Sequence, residues 1–157
     1  MKLVLQELGI TLVPYEKLFN SKGEENYSPY DNVKTYSNDY RDSKYPKGTS
    51  GYLPNSSKPV IAVNPTSEYK IFVQFHEISH ILLKHKGNEL TSQLKELEAN
   101  LTAFLVINQF SKKADMVNII GYFDLHLIDI PFQTCTKCMK VANDILTIVK
   151  ENMLYDF

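Results

Sequence analysis

The feature that most narrows what this chain can fold into is a helical apolar stripe over residues 66–87 that carries two histidines one turn apart. Ile71, Phe72, Phe75, Ile78, Ile81 and Leu82 recur at the helical period and supply a wide face to bury. Thr66 or Ser67 is placed to cap the start, and Glu68 complements the positive end of the dipole. Gly87 is placed to close the helix after Lys84 and Lys86. Directly before it, Pro59-Val60-Ile61-Ala62-Val63-Asn64 is a β-branched run bounded by turn-formers, which predicts a strand.

Around this unit the periodicity is patchier. Leu3, Val4, Leu5 and Leu8 predict a short helix ending at Gly9, followed by a strand through Ile10-Thr11-Leu12-Val13 that Pro14 stops. Residues 21–57 are rich in Asn, Ser, Asp, Gly, Pro and Lys, a density of turn-formers that opposes regular helix. Tyr27, Tyr30, Tyr36, Tyr40, Tyr45 and Tyr52 recur there, so the segment reads as irregular chain pinned to the core by its rings, or as a substrate-facing flap. A second long helix is expected over residues 91–110, with Leu94, Leu97, Leu101, Phe104, Leu105 and Val106. A helix or turn follows near 116–122, then a breaker at Pro131. A last helix then runs through Cys135, Cys138, Met139, Ala142, Ile145, Leu146, Val149 and Met153.

With 157 residues and 43% hydrophobic content, the chain suits one domain with one core. We read it as a single unit over 1–157: a tyrosine-rich N-terminal portion at 1–57, a central core at 58–125 and a C-terminal helix at 126–157. The net charge of −1 comes from 17 basic and 18 acidic residues mixed along the sequence, so no block suited to a run of phosphates stands out. Nucleic-acid binding as the main activity is disfavoured. Gln6 and Glu7 interrupt the first apolar run, and no stretch of about 18 apolar residues occurs, which argues against export and a membrane span. The expected location is cytoplasmic.

The chemistry is carried by His76-Glu77-Ile78-Ser79-His80. On a helix, i and i+4 share a face, so both imidazoles can reach one ion, at about 2.0–2.1 Å if that ion is zinc. Glu77 projects beside them, where a carboxylate can take a proton from a metal-activated water and pass it to a leaving amine. Zinc brings such a water to a pKa of about 7 and polarises a carbonyl. A third protein ligand is needed. On the following helix Glu96, Asn100 and Ala103 share a face, with small Ala99 and Ala103 permitting close approach. Glu96 is the expected ligand and Asn100 a hydrogen-bond partner supporting the site, with Glu98, pointing roughly opposite, as the rival ligand. His85 follows His80 by five residues, which places it on a different face of a continuous helix; it and His126 read as ordinary polar residues. Cys135 and Cys138 share a helix face with Met139 and Ala142, which suggests core packing ahead of redox sensing or a structural metal.

Residues 60–64, Phe75-His76-Glu77-Ile78-Ser79-His80-Ile81-Leu82-Leu83 and Glu96-x-Glu98-Ala99-Asn100-x-x-Ala103-Phe104 resemble the ImmA/IrrE-type metallopeptidases. Gly51-Tyr52-Leu53 through the strand, and Ala103-Phe104-Leu105-Val106, also look like the zincin-like domain of ArdC-type antirestriction proteins. The resemblance covers residues 50–125. It implies an α+β zincin-like fold, with a small twisted sheet packed on the metal helix, a Glu-bearing helix behind it and a further C-terminal helix. It implies zinc as cofactor, and the first Glu of Glu-x-x-Ala-Asn as third ligand, which maps onto Glu96. Ser79 departs from the Gly or Ala usual in the family. The implied activity is zinc-dependent cleavage of a regulatory protein, such as the repressor of a phage or mobile element, encoded nearby. The alternative is a zincin-fold binding or antirestriction module acting on a partner protein or DNA without proteolysis.

Overall fold

Pro59–Val63 forms the central strand of a three-stranded sheet, and its Val60, Ile61 and Ala62 are completely buried. The proline falls at the first strand position, where its missing N–H costs the ladder least. This computed structural model describes residues 1–15, 47–52, 57–65, 67, 69–110 and 130–153. In chain order the elements are α1 (Lys2–Glu7), β1 (Thr11–Leu12), β2 (Gly48–Tyr52), β3 (Pro59–Val63), α2 (Lys70–Leu82), α3 (Ser92–Ile107) and α4 (Phe132–Met153). β1 runs parallel to β3, pairing Thr11 with Val60 and Leu12 with Ile61. β2 runs antiparallel on the other side, from Gly48 opposite Val63 to Tyr52 opposite Pro59. The expected α+β class is therefore observed, as a small mixed sheet with four helices among the described residues.

β2 corrects the reading of 21–57 as irregular. Gly48-Thr49-Ser50-Gly51-Tyr52 lacks apolar alternation, yet Thr49 and Ser50 are buried because the strand is paired along its length to β3 beneath α2. Residues 16–46 and 53–56, including the other tyrosines of the proposed flap, lie outside the described residues, as do 116–122 and His126.

α1 ends where Gly9 adopts a left-handed φ of +66°, allowing Ile10 N–H to return to the Leu5 carbonyl at 2.8 Å. That reversal delivers the chain into β1. Val4 and Leu5 enter the core, whereas Leu3 faces outward. α2 starts later than its capping residues suggested: its N-cap is Tyr69, with no side-chain cap. Ser67 instead donates from Oγ to the Lys47 carbonyl at 3.1 Å, tying the entry of α2 to the start of β2. Thr66 and Glu68 lie outside the described residues.

Phe72, Phe75 and Ile78 on α2 meet Ala103, Val106 and Ile107 of α3 and Ala142, Ile145 and Val149 of α4 in one core cluster. Each fully buried large apolar side chain here contributes about 1.5–3 kcal/mol of burial. Ile71, expected on this face, is exposed. α3 starts at a Thr91 cap, whose hydroxyl accepts from Leu94 N–H at 3.3 Å. Ala99 and Ala103 are fully buried, and their small side chains let α3 lie close to α2. On α4 the buried stripe is Cys138, Ala142, Ile145 and Val149; Met139, one residue and about 100° around the helix from Cys138, is exposed instead. No helix of the described residues is long and apolar enough to cross a membrane.

Candidate metal centre

The site forms where the middle of α2 faces the first half of α3. His76 and His80 stand four positions apart along the helix, and their rings lie edge to face with centroids 4.6 Å apart. Their Nε2 atoms approach to 3.0 Å. From α3, Glu96 reaches both: Oε2 is 3.3 Å from His76 Nε2 and Oε1 is 3.3 Å from His80 Nε2. One ligand atom from each of the three lies within 4.8 Å of the others, a group able to hold a metal ion. Two imidazole nitrogens and a carboxylate oxygen form the donor set of an open zinc site, with one position left for water or substrate.

Asn100, one turn beyond Glu96, accepts a hydrogen bond from His76 Nδ1 at 2.7 Å. An amide oxygen cannot donate, so the ring keeps its proton on Nδ1 and turns Nε2 toward the cluster. Glu98, the rival expected from the sequence, is not part of this group. Its carboxylate is turned away, accepting from His85 Nε2 and from Lys137 Nζ, each at 2.8 Å. His85 in turn lies 2.8 Å from His80, Nδ1 to Nδ1. The expectation that His85 sits on a different face is overturned, because α2 stops at Leu82. Lys84 takes a left-handed φ of 55°, His85 N–H returns to the His80 carbonyl at 3.0 Å, and the ring folds back onto His80. Gly87, also left-handed at φ +79°, belongs to the turn that follows.

Glu77 is fully buried, and neither carboxylate oxygen has a hydrogen-bond partner among the described residues. Ser50 on β2 is close enough to lower its pKa slightly, but the Ser50 hydroxyl is likewise unpartnered. Burial pushes the Glu77 carboxyl up to about 7, against the opposing pull of His76. Gly48 makes room for it: a Cβ there would lie 2.8 Å from Glu77 Oε1 and 2.6 Å from a Val73 methyl. A buried carboxylate normally has partners. This one stands beside the ligand cluster with its oxygens unsatisfied, as a group reserved for a water or substrate at a metal would be. On that observation and on the donor set, the residues fit a divalent ion.

The electrostatics divide the two histidines. Burial disfavours charge on both. At His76, hydrogen bonding and attraction from Glu96, with help from Glu77 and Asn100, outweigh it and raise the pKa. At His80, burial and the neighbouring His76 and His85 prevail over Glu96 and take the value down to about 3. Glu96 resists burial through its two histidine partners and falls to about 2. Burial dominates at His85 too, lowering it despite Glu98.

The cysteines take no part in this cluster. Both are free thiols; Cys138 is buried, its Sγ 3.5 Å from the Glu98 carbonyl, and burial pushes its thiol up to about 11. A thiol so held is a packing group, in keeping with the core reading. No family model, no curated protein and no solved structure matches this chain.

Proposed function

We propose that the protein is a zinc-dependent endopeptidase whose zinc is held by His76, His80 and Glu96, with Glu77 as general base. The observation that carries this reading is the convergence of three ligand atoms within 4.8 Å, beside a buried carboxylate that has no partner among the described residues. The mixed sheet against α2, with α3 behind, is in keeping with a zincin-like arrangement. A bound zinc ion supplies Lewis acidity, polarising a substrate carbonyl and making water acidic enough to attack at neutral pH. Glu77 takes a proton from the attacking water and delivers it to the nitrogen of the departing amine as the C–N bond breaks. Asn100 holds His76 in the tautomer that ligation requires. The proposed substrate is a protein, a transcriptional regulator encoded beside this gene, and the proposed location is the cytoplasm.

The test uses purified full-length protein, elemental analysis and mass spectrometry of co-encoded regulators incubated with it. About one zinc per chain is expected, lost in His76→Ala and His80→Ala and strongly weakened in Glu96→Ala. Glu77→Gln should keep the zinc and lose on the order of 10²–10⁴ in cleavage rate. Wild-type cleavage by zinc-loaded Glu77→Gln overturns the assigned base. Tight binding of a regulator by both forms, with no cleavage by either, replaces the peptidase with a binding module.

A further inference from the structure

Behind the ligand cluster, a chain of polar contacts runs from His80 to the C-terminal helix. His80 Nδ1 meets His85 Nδ1 at 2.8 Å, His85 Nε2 meets Glu98 Oε2 at 2.8 Å, and Lys137 Nζ meets the same oxygen at 2.8 Å. His85 is completely buried and Glu98 nearly so, while the Lys137 side chain is 41% exposed. Glu98 is itself fixed by its backbone: its carbonyl accepts from Thr102 Oγ1 at 2.8 Å and from the Cys138 thiol. Side chains from α4, α3 and the turn after α2 thus form one linear chain of contacts that ends at His80 Nδ1.

The chain has a direction that follows from donor and acceptor counts alone. A lysine ammonium only donates and an ionised carboxylate only accepts, so His85 must give its Nε2 proton to Glu98. A neutral imidazole has one N–H, so His85 Nδ1 is left as an acceptor. His80 must then donate from Nδ1, which leaves the Nε2 lone pair facing His76 and Glu96. The opposite tautomer of His80 would aim an N–H at the place a cation needs. We infer that Lys137, Glu98 and His85 form a positioning arm that fixes His80 in its ligating tautomer and ring plane, with His85 as the residue that delivers the constraint. The inference rests on the metal-centre reading above. His85 touches neither ion nor substrate and acts through His80. The arm also differs from the support of His76, which ends at a neutral amide: here the last acceptor is a carboxylate, which makes the attached imidazole a stronger electron donor.

The experiment measures zinc affinity by chelator competition, the visible spectrum of the cobalt(II)-substituted protein, and histidine tautomers by ¹⁵N-resolved NMR of zinc-loaded full-length protein. His85→Leu fills the volume but offers no acceptor, and should weaken zinc on the order of 10–100-fold and alter the cobalt spectrum. His85→Asn puts an amide oxygen near the Nδ1 position and should recover much of both. In the unmodified protein, His85 should carry its proton on Nε2, a readout that holds even if His85→Leu fails to fold. Wild-type affinity and spectrum in folded His85→Leu, or a His85 proton on Nδ1, overturns the arm while leaving the metal centre standing. Undiminished zinc in His76→Ala and His80→Ala removes the metal centre and the arm with it.

Discussion

Burial governs Glu77, because the fold that leaves its carboxylate without a partner among the described residues also sets its proton affinity. Its carboxyl sits at about 7 in the fold against an ordinary 4.5, chiefly through desolvation. The fold therefore binds this proton more tightly than the unfolded chain does. Its favourable contribution is complete below about 4.5 and is lost as the pH rises through about 7, where burying the anion costs on the order of 3 kcal/mol. Glu77→Gln removes that charge at similar size. In protein stripped of metal by chelator, urea titrations should show the variant more stable than wild type above pH 7, by on the order of 1–3 kcal/mol, with the gap closing toward pH 4.5. A gap of constant size across this range would mean that the carboxyl is not protonated by burial. Gly48 belongs to the same residue-scale design, since its missing Cβ is what lets α2 bring Glu77 against β2.

At the scale of elements, the decisive event is where α2 stops. Lys84 adopts φ 55°, a conformation that costs an L residue with a Cβ roughly 1–2 kcal/mol. The return bonds Lys84 N–H to the Ile81 carbonyl and His85 N–H to the His80 carbonyl hold it there. Lys84→Gly should relieve that strain, offset by the greater freedom of the unfolded chain, so stability should stay level or rise by up to about 1 kcal/mol with zinc affinity unchanged. Lys84→Val should cost about 1–2 kcal/mol and weaken zinc as well, because it disturbs the turn that aims His85. Thermal unfolding and chelator competition on the same samples check both, and zinc affinity unmoved by Lys84→Val would separate the turn from the centre. This element also marks the limit of sequence reading. His76, His80, Glu96 and Asn100 could be placed from helical spacing, since their meeting depends on two intact helices and the small faces of Ala99 and Ala103 between them. His85 could not. Lys84, Lys86 and Gly87 point to a later helix end, and nothing in a lysine announces a left-handed residue. Glu98 showed only that it pointed away from Glu96; its partner Lys137 stands 39 positions further on, beyond the reach of any local period. β2 was hidden for another reason, because two glycines and two hydroxyls carry no alternation and become a buried strand only through pairing with β3.

For the whole molecule, the consequence of this layout is that the ligands and the core divide between the same helices. α2 and α3 supply the group able to hold a metal ion on one side and Phe75, Ile78, Ala103 and Val106 to the core on the other, while α4 closes that core and sends Lys137 to Glu98. An ion held by His76, His80 and Glu96 therefore clamps α2 to α3 and requires the folded state. Zinc should stabilise by mass action, about 2.7 kcal/mol at a free concentration one hundred times its Kd. Chelation should lower the melting temperature of the wild-type protein, and His76→Ala should melt at one temperature with or without zinc. Ile145, fully buried on α4, separates packing from ligation. Ile145→Ala should cost about 2–5 kcal/mol in zinc-loaded and zinc-free protein alike, because it opens a cavity in the core without touching a ligand or the arm. The increment due to zinc should survive intact in that variant. If it vanishes instead, the ion is held by the packing of the entire core and not by the local meeting of α2 and α3, and the clamp described here is wrong.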